Sequence, residues 1–422
     1  MSQEPTQQAL QQIDFLFSPR AIRERTQAIY SLAEKGGTHF ALHPEKLAEV
    51  ATLVIEVTRA HYPALQIPFH SRWGHFRAGG VDRLARVRAS LSGVPHSDPL
   101  EPVRVYWDLV IPSVLLDAGA GDRWKFIEAD GTAVSRSEGL GVASLALFEA
   151  GGLSSDPARR PLRADARGLQ TFTAAALEKA FQVTQDNPLI GTQGRAGLLK
   201  TLGKCVENDP LHFPTKALDR GQARVGNLAD SFVAKFGKTI PAPAILRGVL
   251  EALGPIWPGR LQLAGQELGD VWSHSGLGPS GSFESLVPFH KLSQWLTYSL
   301  IEPLLDAGFS VPGVETLTGL AEYRNGGLVL DGGLISLRDP EQAKRAHRPD
   351  SELVIEWRAL TLVWLEKIAD EVRRQLKMTA TELPLAKVLE GGTWWAGRKL
   401  AKQLRPKTSN PPLELLSDGT VF

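Results

Sequence analysis

An acid, a phenol and a guanidinium occupy consecutive positions at Glu322, Tyr323 and Arg324, and Asn325-Gly326-Gly327 follows at once. A carboxylate can stabilise a developing cation, orient water or attack carbon, and an arginine fork grips phosphate or hydroxyl oxygens. Upstream, Leu292, Trp295, Leu296, Leu300, Leu304 and Leu305 recur at helical spacing and form one apolar stripe. Core packing accounts for the stripe. It does not account for the polar triplet before a flexible turn, which reads as the floor of a site.

Other groupings carry chemistry less directly. Pro68 to Arg77 holds His70, Arg72, His75 and Arg77 between turn residues. Its arginines suit phosphate or sugar hydroxyls, and the alternative is a solvated loop with snorkelling side chains. Asp117 closes an apolar helix and Trp124 opens a strand, with glycines between them. An acid and an indole brought together can hold a planar amide by stacking and by accepting its N–H groups; the alternative is an ordinary helix exit. Asp270, Trp272 and His274 stand just upstream of Gly276-Leu277-Gly278-Pro279-Ser280-Gly281. That run resembles a dinucleotide fingerprint in its letters alone: no strand is expected before it, Pro279 interrupts it and no βαβ unit surrounds it. A loop that lets backbone approach a ligand fits better. Gly391-Gly392-Thr393-Trp394-Trp395-Ala396-Gly397-Arg398 opens a basic helix, whose first N–H groups could hold an anion or simply start a helix with buried tryptophans.

The elements that must position these residues are mostly helical. Capping, punctuation and periodicity predict helices at Pro19–Glu34, Pro44–His61, Val81–Leu91, Pro102–Asp117, Ser137–Ala150, Thr171–Gln182, Gly197–Val206, Ala242–Leu253, Ser285–Ala307 and Ser351–Leu376. Ser18 and Pro19 make an N-cap and first-turn pair. Strand signals are few: Trp124–Glu128 alternates, and Gly327–Leu337 resembles a hairpin turning at Asp331-Gly332. The expected fold is mainly α with a few short strands, either as one unit over 1–422 or as two helical lobes near 1–160 and 161–422 with a cleft. A doubly wound α/β fold would need strands alternating with helices.

Composition narrows the function classes. The 422 residues are 43% hydrophobic, ample for a large core, and carry 47 Lys plus Arg against 46 Asp plus Glu. Near-neutrality argues against a nucleic-acid surface or a polybasic membrane anchor. No apolar run of about twenty residues suggests a membrane span, and the polar N-terminus has no signal-peptide pattern. The single cysteine, Cys205, rules out an internal disulfide framework and a Cys-based zinc site. It fits a reducing, cytoplasmic setting and reads as a small buried thiol.

Several blocks together resemble one family. HSRWGHFRAGGVDR from His70, YWDLVIPSVLLDAGAGDRW from Tyr106, VPFHKLSQWLTYSLIEPL from Val287, LTGLAEYRNGGL from Leu317, IEWRALT from Ile355, GGTWWAGR and the terminal SDGTVF are similar to the uracil-catabolism family of Urc/Urg type. The resemblance spans nearly the whole chain. It implies a role in uracil degradation, where ring opening yields a ribosylurea-type intermediate, and specifically hydrolysis of the C1–N bond to release urea. The implied partner is a small molecule, ribosylurea or its 5-phosphate, with no metal or cofactor needed. An amide- or urea-carbonyl hydrolase and a non-catalytic ligand-binding protein of the same pathway are the alternatives.

A more distant resemblance links the KLSQWL helix and LTGLAEYRNGG to the queuosine salvage N-glycosidase family, whose helical fold is similar to helix-hairpin-helix DNA glycosylases. Glu322 stands where that family has a catalytic Asp, with Tyr323 and Arg324 retained in order. The resemblance implies that Lys291 contacts phosphate, and that Asp117 and Trp124 hold the base-like group. Asp117 is then a second catalytic candidate, as proton donor or as acceptor of urea N–H groups. Arg324, Tyr323, His290, Arg72, Asp270 and Trp272 complete the candidate substrate contacts.

Overall fold

Ser18 accepts the Ala21 N–H at 3.1 Å and Pro19 supplies a preset φ, so a helix starts at Pro19 and runs to Glu34. The same local rules set Leu47–His61, Glu101–Leu115, Arg136–Glu149, Thr192–Asn208, Ala242–Leu253 and the 25-residue helix Glu352–Leu376. The computed structural model describes residues 6–92, 98–117, 119–121, 123–215, 222–257 and 260–416. The terminal SDGTVF block from Ser417, Ala118 and Asp122 of the Asp117–Trp124 loop, and Pro258 and Gly259 of the 254–265 loop lie outside the described residues. The fold is mainly α, with short two-stranded pairings. Among the described residues no helix is long and apolar enough to cross a membrane.

The chain divides into two units, each discontinuous in sequence. The first comprises Met1–His70, Gly259–Trp295 and Gly313–Phe422; the second comprises Ser71–Pro258 and Leu296–Pro312. In the first, Glu352–Leu376 packs along both Pro19–Glu34 and Leu47–His61. Its buried face includes Trp357, Leu360, Trp364 and Ile368. In the second, Glu101–Leu115 is buried from Val103 onward and packs on Arg136–Glu149 and on the turn Val225–Asn227. Gly226 is required there, because a Cβ would run into the Arg104 carbonyl.

Several local expectations are corrected. Gly327–Leu337 is not a hairpin: Tyr323–Asp331 is a helix, and Ile335–Leu337 pairs antiparallel with Phe40–Leu42. Gly326 serves packing rather than turning, since a Cβ there would lie 2.8 Å from the Trp357 ring. The helix Lys291–Asp306 is not simply amphipathic. Gln294, Thr297 and Ser299 are buried along with Trp295, Leu296, Leu300 and Leu304, whereas Leu305 is exposed. Gly391-Gly392 does not start a helix. A π-helical turn, Leu389–Thr393, joins Leu385–Val388 to Trp394–Leu404 without a break, so its N–H groups are not free helix ends. A strand, Val271–Ser273, does precede the glycine-rich run, but it pairs antiparallel with Leu286–Pro288 rather than entering a βαβ unit. Finally, Arg72 does not snorkel: it lies in a short helix, Arg72–Phe76, and is fully buried.

Candidate active site

Glu322 is the N-cap of the helix Tyr323–Asp331. Its carboxylate accepts the Arg324 N–H at 2.8 Å and the Asn325 N–H at 2.5 Å. Glutamate is not among the favoured capping residues, for serine, threonine, aspartate and asparagine reach these donors with less chain. The longer acid therefore serves something besides the cap. Glu322 is partly buried. Burial pushes its carboxyl pKa up, against the two backbone N–H bonds and the charges of Lys291 and His70. A desolvated carboxylate with cationic groups close by is the environment in which enzymes keep a functional acid.

Neighbouring elements hold this acid in place. The helix Trp394–Leu404 lies along Tyr323–Asp331, and Gly397 allows contact with the Arg324 backbone, since a Cβ would meet the Arg324 carbonyl. Asn325 donates from Nδ2 to the Leu320 carbonyl at 3.2 Å. Arg324 donates to the Ser409 carbonyl at 2.9 Å, and its guanidinium lies 4.9 Å from the centre of the Tyr323 ring. Lys291 begins the helix that runs to Asp306, with its backbone N–H donating to Asp270 Oδ2 at 3.0 Å.

Asp270 is a structural hub. Arg358 grips it with two bonds of 2.8 and 2.7 Å, and the Trp272 indole N–H donates to it at 2.7 Å. Opposed only by burial, these contacts hold its carboxyl well below the usual carboxylate range. His290 is buried too, in a left-handed backbone conformation (φ 47°) that side chains other than glycine rarely adopt. Burial lowers its pKa, so the neutral ring donates from Nε2 to the Leu16 carbonyl at 3.0 Å. Its Nδ1 has no hydrogen-bond partner among the described residues.

Tyr62, His70 and Glu390 form a chain that sequence reasoning missed. The Tyr62 hydroxyl donates to Glu390 at 2.9 Å, and the other Glu390 oxygen meets His70 Nδ1 at 2.8 Å. Burial and the Glu390 charge push the Tyr62 hydroxyl pKa up, so it stays a donor. The Glu390 residue sits in the π-helical turn, a feature frequent at functional positions. The only local signal was Gly391-Gly392, which lets that turn press against Val54 and Thr58.

The second unit holds the other candidates. The Ser137 hydroxyl reaches both oxygens of Asp117, at 2.7 and 2.6 Å, and Arg72 lies 3.4 Å away. Arg72 also donates to the Ser113 and Ser137 carbonyls and bonds His75 at 2.8 Å. Burial lowers the pKa of Arg72 and brings that of nearby Arg195 to about 10, with Asp117 opposing both shifts. Trp124 is fully buried, donates to the Phe181 carbonyl at 2.9 Å and stacks on the Phe181 ring. Asp117 and Trp124 thus belong to the second unit, whereas Glu322, Lys291, His290, Asp270, Trp272, Tyr323 and Arg324 belong to the first.

A mainly helical chain with an acid at a helix start, flanked by a lysine and a histidine, defines a helical protein with a carboxylate-centred candidate site. Residues 15–422 match the family described as "Protein of unknown function (DUF1688)". The chain is 40% identical over 416 residues to "Protein urg3" of Schizosaccharomyces pombe, covering 96% of this chain and 98% of that protein. It is 33% identical over 444 residues to "Uracil catabolism protein 4" of Lachancea kluyveri, covering 97% and 99% respectively. The chain belongs to this uracil-catabolism family, as its sequence blocks indicate.

Proposed function

We propose that this protein acts in uracil catabolism as an N-ribosyl hydrolase, cleaving the C1–N bond of a ribosylurea-type compound to release urea and ribose or ribose 5-phosphate. The carrying observation is Glu322: a partly buried carboxylate, fixed by two backbone N–H groups, under the charges of Lys291 and His70. The printed name of the Lachancea kluyveri relative supports the pathway. The order of Lys291 helix and Glu322-Tyr323-Arg324, similar to that of a glycosidase family, supports the reaction class.

Breaking C1–N builds positive charge on the sugar. A fixed carboxylate beside C1 stabilises that charge and takes a proton from the attacking water, or adds to C1 itself. Lys291 and Arg324 supply charge for a 5-phosphate, whose binding holds C1 in register with the acid. Asp117, an acceptor toward Ser137, serves in this proposal as an acceptor for urea-type N–H groups.

Purified protein incubated with ribosylurea and with its 5-phosphate should release urea and a reducing sugar in equal amounts. Ammonia in place of urea would point to attack on the carbonyl and overturn the proposal. So would tight binding of either compound with no turnover.

A further inference from the structure

Glu322 alone leaves half of the proposed reaction unserved. Urea departs poorly as an anion, so its nitrogen needs a proton as the C1–N bond breaks. His70 is placed for that task by contacts that a core histidine would not need. Its backbone N–H is anchored on the Ala386 carbonyl at 3.0 Å, and its ring lies 6.4 Å from that of Trp394. Nδ1 is committed to Glu390, and Glu390 is itself held by Tyr62. A carboxylate on Nδ1 fixes the tautomer and turns Nε2–H outward as the donor. Nothing among the described residues bonds to Nε2. The helical run that carries Glu390 continues into Trp394–Leu404, which packs on the helix capped by Glu322.

We infer that His70 is a second catalytic residue and Glu390 its positioning residue, with His70 the general acid for the leaving urea; this rests on the N-ribosyl hydrolase reading. As C1–N breaks, its electron pair stays on the urea nitrogen, which takes the proton from His70 Nε2. Water adds to C1 and its proton passes to Glu322. Solvent then reprotonates His70 and deprotonates Glu322, leaving urea and the free sugar.

The test compares two leaving groups in otherwise matched substrates. Ribosylurea needs the proton, whereas 4-nitrophenyl ribofuranoside, each with or without 5-phosphate, departs as a stable anion. His70→Asn should lower kcat on ribosylurea by about 100-fold or more, yet change nitrophenol release by less than about 5-fold. Glu390→Gln should show the same selectivity with a smaller loss, and Glu322→Gln should depress both substrates. The fall of wild-type kcat at alkaline pH, as His70 loses its proton, should disappear in His70→Asn. Retained nitrophenol release, or a wild-type melting curve, shows that each variant is folded. Equal losses on both substrates, no loss on ribosylurea, or an unchanged alkaline limb would overturn the role of His70 while leaving the hydrolase reading standing. Absence of urea release by the wild type would end both.

Discussion

At the scale of single residues, Glu322 has two jobs that substitutions can separate. Glu322→Gln keeps an oxygen for one backbone N–H and removes the charge. It should remain folded and lose turnover by about 100- to 10,000-fold, read as urea release. Glu322→Asp keeps both the charge and a favoured cap, but draws the carboxylate back by one methylene. It should melt within a degree or two of the wild type and still lose most activity. A cap without chemistry would leave Glu322→Asp fully active. Lys291→Ala should weaken the 5-phosphorylated compound more than the unphosphorylated one, and equal losses in KM would remove its phosphate role. Glu322 was visible in the sequence because Glu-Tyr-Arg stands outside any apolar period. The His70 relay was not, because Glu390 lies 320 positions away and only the folded chain brings the two together.

At the scale of elements, local rules made the helices legible and packing hid the exceptions. Ser18-Pro19 and Ser351 mark helix starts by chemistry confined to a single turn. Gly326-Gly327 looked like a turn because glycine permits turns, yet Gly326 is there to admit Trp357, which lies on a different helix. Asp270 looked like a ligand contact for a similar reason: its partner Arg358 is 88 positions away. The pair ties the strand Val271–Ser273 and the start of Lys291–Asp306 to Glu352–Leu376 within the first unit. Asp270→Asn strands a buried guanidinium and should cost about 3–5 kcal/mol of stability. The folded-state pKa of Asp270 lies below its unfolded value of about 3.9. Its contribution is therefore fully present above that value and is lost as pH falls through the depressed folded pKa. Urea melts of wild type and variant should differ most at neutral pH and converge on acidification. A constant difference down to strongly acidic pH would mean that the pair is not the source.

At the scale of the whole molecule, the sequence reads as a line whereas the structure interleaves. Helical periodicity reports which face of a segment is buried but not which distant segment buries it, so a mainly α fold was legible and the make-up of each unit was not. The first unit is assembled from three stretches and the second from two. Any single cut between residues 71 and 311 therefore divides both. A fragment ending at residue 160 retains Pro19–Glu34 and Leu47–His61 but lacks Glu352–Leu376, against which both pack. Ile22, Ile29 and Val54, fully buried in the whole chain, would lose that cover. Each such side chain contributes about 1.5–3 kcal/mol when buried, so a few of them equal the entire net stability of a typical domain, about 5–15 kcal/mol. The fragment should show weak helical circular dichroism, bind a hydrophobic dye and lack a cooperative melt, whereas the intact chain melts cooperatively. A sharp melt from the fragment alone would show that the N-terminal helices find sufficient cover among themselves, and that the interleaving is not what holds them.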